Sequence, residues 1–170
     1  AGRSVEFSVH GPLAINLMDE PYRLQRHIDV LSASLEVAAE VGAKHYILHS
    51  GMAPVQQGDG LEAAYERQRE CLARAGDIAR RLDLVICVET LFAGFDGRAH
   101  ASSPRRLAAE LAAINHSNVM ATIDFSHSYL KLDYDGRRGD FLDEIKALAP
   151  WGRHLHVHDS FGRQDDIWMY

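Results

Sequence analysis

A chain of 170 residues with 46% hydrophobic and 25% charged content is long enough for one globular core and matches neither a disordered nor a fibrous polymer. Its 18 basic and 24 acidic residues leave a net charge of −6, and no Lys/Arg run exceeds a pair such as Arg80-Arg81, Arg105-Arg106 or Arg137-Arg138. That acidity disfavours nonspecific nucleic-acid binding without excluding a local basic site. No apolar run approaches ~18 residues and no charged-then-apolar leader is present, so neither a membrane span nor a signal peptide is expected.

The first apolar segment, SVEFSVH (residues 4 to 10), reads as a strand. A helix is expected over residues 21 to 41, opening at Pro21 and stopping at Gly42, with Ile28, Leu31, Leu35 and Ala38 along one face. HYILH (45 to 49) reads as the next strand. Residues 61 to 82 then carry Leu61, Tyr65, Gln68, Leu72, Ala75, Ala79 and Leu82 at helical spacing, interrupted only by the glutamine. LVICVE (84 to 89) is a third strand, and Ser103-Pro104 announces a helix through Leu107, Leu111 and Ile114. VMATID (119 to 124) is a fourth strand, with His127 in the loop beyond it. A last helix is expected over 139 to 149, ending before Pro150, and HLHVH (154 to 158) closes the series as a fifth strand.

Strand alternates with helix throughout, which predicts a parallel sheet with helical crossovers in a single domain spanning residues 1 to 170. The strand ends His10, His49, Glu89, Asp124 and His156 are 39, 40, 35 and 32 residues apart, and each is a potential metal ligand. In parallel α/β folds, functional groups gather at the carboxyl ends of strands. Side-chain alternation places Cys87 and Val85 on the face of Glu89, and Thr122 and Met120 on that of Asp124. The opposite faces, Leu84/Ile86/Val88 and Val119/Ala121/Ile123, are uniformly apolar. Apolar outer faces with a mixed inner one suit a (β/α)8 TIM-type barrel better than a doubly wound sheet, with about five of its parallel strands in this chain. The two cysteines, Cys71 and Cys87, form no disulfide framework, and a reducing, cytoplasmic setting is expected.

A carboxylate ending an aliphatic strand is costly to desolvate unless a cation or donor compensates it, and two at matched depth suggest one shared cation. With His156, Glu89 and Asp124 offer the O and N donors that suit Mn²⁺, Mg²⁺, Co²⁺ or Zn²⁺. Either acid alone reads first as a helix N-cap or an ion pair, and only the set points to a metal. His10, His49 and His127 are further candidate ligands, His127 doubling as a substrate contact. Strict alternation puts His154, His156 and His158 on one face: His154 deep and hydrogen-bonded, His156 at ligand depth, His158 and Asp159 at the mouth as substrate contacts.

The ordered pieces FSVHGPLAINL, AAEVGAKHYILHSG, LVICVETL, ATIDFSHSYL and HLHVHDSFG resemble the xylose isomerase-like (β/α)8-barrel superfamily, which includes sugar-phosphate isomerases and epimerases and endonuclease IV-type apurinic-site endonucleases. The resemblance implies that Glu89 is the bridging or catalytic carboxylate, Asp124 the next metal ligand and His156 the seventh-strand ligand. In the isomerase branch Glu89 moves a proton beside a carbonyl, through an enediolate that the cation stabilises. In the endonuclease branch His10, His49 and Glu89 hold one zinc, Glu89, Asp124 and His156 a second, and His127 contributes to a third. That branch also expects an Asp-x-His after the seventh strand, whereas Asp165-Asp166-Ile167-Trp168 supplies the acid without the histidine.

Both branches use an eighth-strand glutamate, which lies beyond Tyr170, and a full barrel usually takes at least ~200 residues. The chain, which starts Ala-Gly-Arg, therefore reads as the central strands of a longer barrel or as a protein that completes its sheet by association, for example as a homo-oligomer. The leading expectation is a divalent-metal-dependent sugar or sugar-phosphate isomerase/epimerase. A zinc-dependent apurinic-site phosphodiesterase and a catalytically silent metal-binding domain are the alternatives.

Overall fold

Strands and helices alternate through the computed structural model, which describes residues 5–54, 60–92 and 99–158. In chain order the elements are β1 (Phe7–His10), α1 (Pro21–Glu40), β2 (Ala43–His49), β3 (Ala53–Pro54), α2 (Gly60–Arg81), β4 (Val85–Glu89), β5 (Ala99–His100), α3 (Pro104–Ile114), β6 (Val119–Asp124), α4 (Phe125–Tyr134), α5 (Phe141–Leu148) and β7 (Gly152–His156).

The five longer strands form one parallel sheet in the order β1-β2-β4-β6-β7. Together with the helices they make an α/β half-barrel, the incomplete TIM-type architecture expected from the side-chain alternation. Tyr46, Leu48, Leu84, Ile86, Val88, Val119, Ala121 and Ile123 point outward into one core with Leu31, Leu35, Leu72, Leu107 and Leu111 of the helices. Each fully buried leucine contributes roughly 1.5–3 kcal/mol, so this helix-covered face supplies the fold's main driving force. The inner face keeps Cys87 and Thr122 buried beneath the strand ends.

The helix boundaries follow local chemistry. α1 starts with Pro21 in its first turn and stops before Gly42, whose φ of +76° is a conformation that side chains bearing Cβ rarely adopt. Ser103 caps α3 by accepting from Arg106 N at 3.3 Å, and Asn115 ends it in the left-handed region. Gln68, the polar interruption in α2, is buried, and its Oε1 accepts from Gly51 N at 2.6 Å in the turn after β2.

Two readings need correction, and one pairing has no counterpart in the sequence. Residues after Asp124 are not a loop: α4 begins at Phe125 with no intervening residue, because the Asp124 side chain caps it. The last strand runs from Gly152 to His156, so His158 lies beyond it. The loops after β2 and β4 also pair as a short antiparallel ladder, Ala53 with His100 and Pro54 with Ala99, too brief to leave a periodic signal.

Candidate functional site

Parallel register brings the strand ends to one edge with two-residue steps, His10 pairing with Ile47 and Glu89 with Thr122, which keeps their side chains on one face. His49 pairs with Glu89 and Asp124 with His156, while His10 closes the neighbouring strand. Glu89 and Asp124 are each 1% exposed, and histidines surround both. Glu89 Oε2 lies 3.1 Å from His10 Nε2 and 3.7 Å from His49 Nε2; its Oε1 lies 2.9 Å from His156 Nδ1 and 3.3 Å from His127 Nδ1. Asp124 Oδ2 lies 3.0 Å from His158 Nε2 and 3.5 Å from both His156 Nδ1 and His127 Nδ1.

The other oxygen of Asp124 has a separate task. Oδ1 accepts from the backbone N–H of His127 at 2.8 Å, which caps α4 and turns His127 back over the strand ends. The helix N-terminus in turn favours the negative charge on Asp124. One carboxylate thus ends a strand, starts a helix and presents a single oxygen to the site.

Three groups emerge in which one donor atom per residue lies within 4.8 Å of the others: His10, His49 and Glu89; Glu89, Asp124 and His156; and Asp124, His127 and His158. All six expected ligand residues are brought together. His158, expected only at the mouth, completes the third group. His154 sits deeper, its ring 5.1 Å from that of His156, but its buried Nδ1 has no hydrogen-bond partner among the described residues, contrary to expectation. Asp159, Asp165 and Asp166 lie outside the described residues.

Burial pushes the Glu89 carboxyl up, yet hydrogen bonds from His10, His127 and His156 together outweigh it and hold the group well below the usual carboxylate range. Asp124 is likewise lowered, with burial opposed by His156, His127 and His158. Asp124 and Glu89 raise His156 to about 10, and Glu89 raises His10, whereas burial lowers His49. Two buried, ionised carboxylates ringed by imidazoles form a donor set that fits divalent cations: without one, the charge balance falls to protons on His10 and His156.

Above these groups lies a cavity of about 560 Å³ whose walls include Leu13, Leu91, Phe92, Leu155 and Val157; no lysine or arginine is among its described lining residues. Among the described residues, no helix is long and apolar enough to cross a membrane.

The profile of the xylose isomerase-like TIM barrel matches residues 1–167. The chain belongs to this family. As a xylose isomerase-like barrel it is 28% identical over 168 residues to a Bacillus subtilis protein named "Probable endonuclease 4", covering 91% of this chain and 52% of that one. The chain spans about half the length of the curated relatives it matches. Among solved structures, a D-tagatose 3-epimerase-like protein superimposes with a TM-score of 0.76 at 21% identity, over 94% of this chain and 58% of that one. A Thermus thermophilus protein soaked with ZnCl2 aligns with a TM-score of 0.72 at 25% identity, over 96% of this chain and 61% of that one.

Proposed function

We propose that this xylose isomerase-like barrel carries a multi-cation centre that cleaves a phosphodiester bond. The observation that carries the reading is the sharing of both buried carboxylates: Glu89 and Asp124 each belong to two of the three ligand-capable groups. A single-cation isomerase would use Glu89, Asp124 and His156 and leave His10 and His49 without a chemical role. The relatives named as endonuclease 4 support the same reading.

His10, His49 and Glu89 would hold one cation, Glu89, Asp124 and His156 a second, and Asp124, His127 and His158 a third. Zn²⁺, Mn²⁺ or Co²⁺ suits this donor set, and when bound such ions supply Lewis-acid polarisation of a phosphoryl oxygen. The chain's own part is to keep Glu89 and Asp124 ionised in a buried floor and to release the protons of His10 and His156 as ligands are needed. Leu91 and Phe92 line the cavity above that floor.

A second reading, sugar isomerisation or epimerisation, is favoured by a different observation: a cavity of about 560 Å³ with apolar upper walls and no lysine or arginine among its described lining residues, in a chain of net charge −6. Glu89 would then move the proton next to the substrate carbonyl while His127 and His158 contact its oxygens.

One experiment separates the two. Protein reconstituted with Zn²⁺, Mn²⁺ or Co²⁺ is analysed for ions per chain and incubated with an abasic-site duplex and, in parallel, with ketohexoses and ketose phosphates. More than one ion per chain with strand cleavage is expected. One ion with epimer interconversion transfers the assignment to the second reading, and bound ions with neither activity mark a binding domain.

A further inference from the structure

The junction between β6 and α4 needs a partner for its backbone. Thr90 N still follows the ladder, donating to Thr122 O at 3.1 Å, but α4 starts immediately after Asp124, so the ladder stops there. The Thr90 hydroxyl takes over. Its Oγ1 accepts from Asp124 N at 2.9 Å and donates to Asp124 O at 3.1 Å. Ser128, four residues along α4, donates to the same carbonyl at 2.7 Å and lies 3.2 Å from Thr90 Oγ1. Both hydroxyls are buried, where an unpaired backbone N–H or C=O is costly.

The backbone carbonyl of Thr90 reaches the other key residue. It lies 3.0 Å from His127 Nδ1, and two further groups near that nitrogen, Glu89 Oε1 at 3.3 Å and Asp124 Oδ2 at 3.5 Å, are also acceptors. A carbonyl cannot donate, so Nδ1 carries the ring proton. Imidazole ligands characteristically donate one ring N–H to such an acceptor, which fixes the orientation of the ring.

We propose that Thr90 is the positioning residue of this site: its hydroxyl clamps the backbone of Asp124 at the strand-helix junction, and its carbonyl holds the Nδ1–H of His127 and with it the orientation of that ring. This deepens the reading of Asp124 and His127 as site residues and does not depend on which bond is broken.

The test uses metal-free, ¹⁵N-histidine-labelled protein at a pH where imidazole is neutral, with His127→Ala to assign the signal. Long-range ¹H–¹⁵N spectra should show His127 as the Nδ1–H tautomer in the wild type and in Thr90→Ser. Thr90→Val keeps the backbone carbonyl, so His127 Nδ1 should stay protonated, whereas loss of the hydroxyl that clamps Asp124 should lower Zn²⁺ affinity by chelator competition ~10–100-fold, the scale for losing an outer-shell partner. An Nε2–H tautomer in the wild type overturns the proposal. So does a Thr90→Val protein that loses only thermal stability, with Zn²⁺ affinity unchanged. If Thr90→Val fails to fold, the wild-type spectrum and the Zn²⁺ affinity of Ser128→Ala, which removes one donor from the Asp124 carbonyl, decide. Failure of the phosphodiesterase reading shows instead as absent strand cleavage with these spectra intact.

Discussion

Oε1 of Glu89 stands 2.9 Å from Nδ1 of His156, although β4 and β7 are not neighbours in the sheet and β6 runs between them. Curvature of the half-barrel brings their inward side chains together across that strand, and the same curvature lets Oε2 meet His10 from the other side. Glu89→Gln preserves the shape while removing the charge that two ligand groups share. The variant should bind at least one ion fewer per chain and lose turnover by on the order of 100-fold or more, the scale of removing a charge-stabilising group. Full ion content by elemental analysis together with undiminished turnover would take Glu89 out of the site.

The raised proton affinity of His156 has a thermodynamic counterpart in the metal-free protein. Its folded value of about 10 exceeds the ordinary 6.5, so its ion pairs with Asp124 and Glu89 contribute fully below about 6.5 and are lost as pH climbs through about 10. The carboxylates act in the opposite direction: lowered in the fold, their contribution is present above the ordinary 4.5 and 3.8 and disappears as acid titrates them. Chelator-treated protein should therefore be most stable in the mildly acidic range and weaken toward pH 10. His156→Gln should flatten the alkaline limb. A wild-type Tm that does not fall between neutral and alkaline pH would contradict the assignment.

The spacing of His10, His49, Glu89, Asp124 and His156 is legible in the sequence because each residue ends a strand, and strand ends in a parallel sheet share one edge. The outward apolar faces are legible for the same reason, since alternation has a period of two. His127 is where the sequence puts it in space but on a different element: Asp124 serves as strand end and helix cap at once, which erases the loop that a strand-helix boundary normally shows. Thr90 and Ser128 leave no signal, because a hydroxyl that replaces ladder bonds looks like any polar residue beside a strand-end carboxylate. His158 reads as a substrate contact because it lies near the mouth, yet its Nε2 reaches Asp124.

The histidines of the first two strands discriminate between the two proposed activities. His10→Asn and His49→Asn each remove a nitrogen from the group containing Glu89 and leave Asp124 and His156 in place. Each variant should hold one ion fewer and lose phosphodiester cleavage, with the remaining cation still bound. Undiminished strand cleavage in both variants would show that the first group is dispensable and leave the centre with the other two.

The turn after His49 tests how firmly the fold supports the site. Gly51 donates its N–H to buried Gln68 Oε1 at 2.6 Å, pinning the turn to α2. A Cβ at this position would fall 2.3 Å from Met18 Cγ and 2.6 Å from that glutamine oxygen. Neither neighbour is an exposed side-chain tip: Met18 is 1% exposed and packs with Tyr65 and Ala64. Gly51→Ala must therefore push the turn away from α2 or break the Gln68 bond, at a cost of about 1–3 kcal/mol by the scale of overpacked sites. Because His49 lies two residues upstream, the same displacement should weaken the group of His10, His49 and Glu89 and spare that of Asp124, His127 and His158. Urea denaturation measures the first effect and ion content the second. Wild-type values for both would show that the turn has room to give.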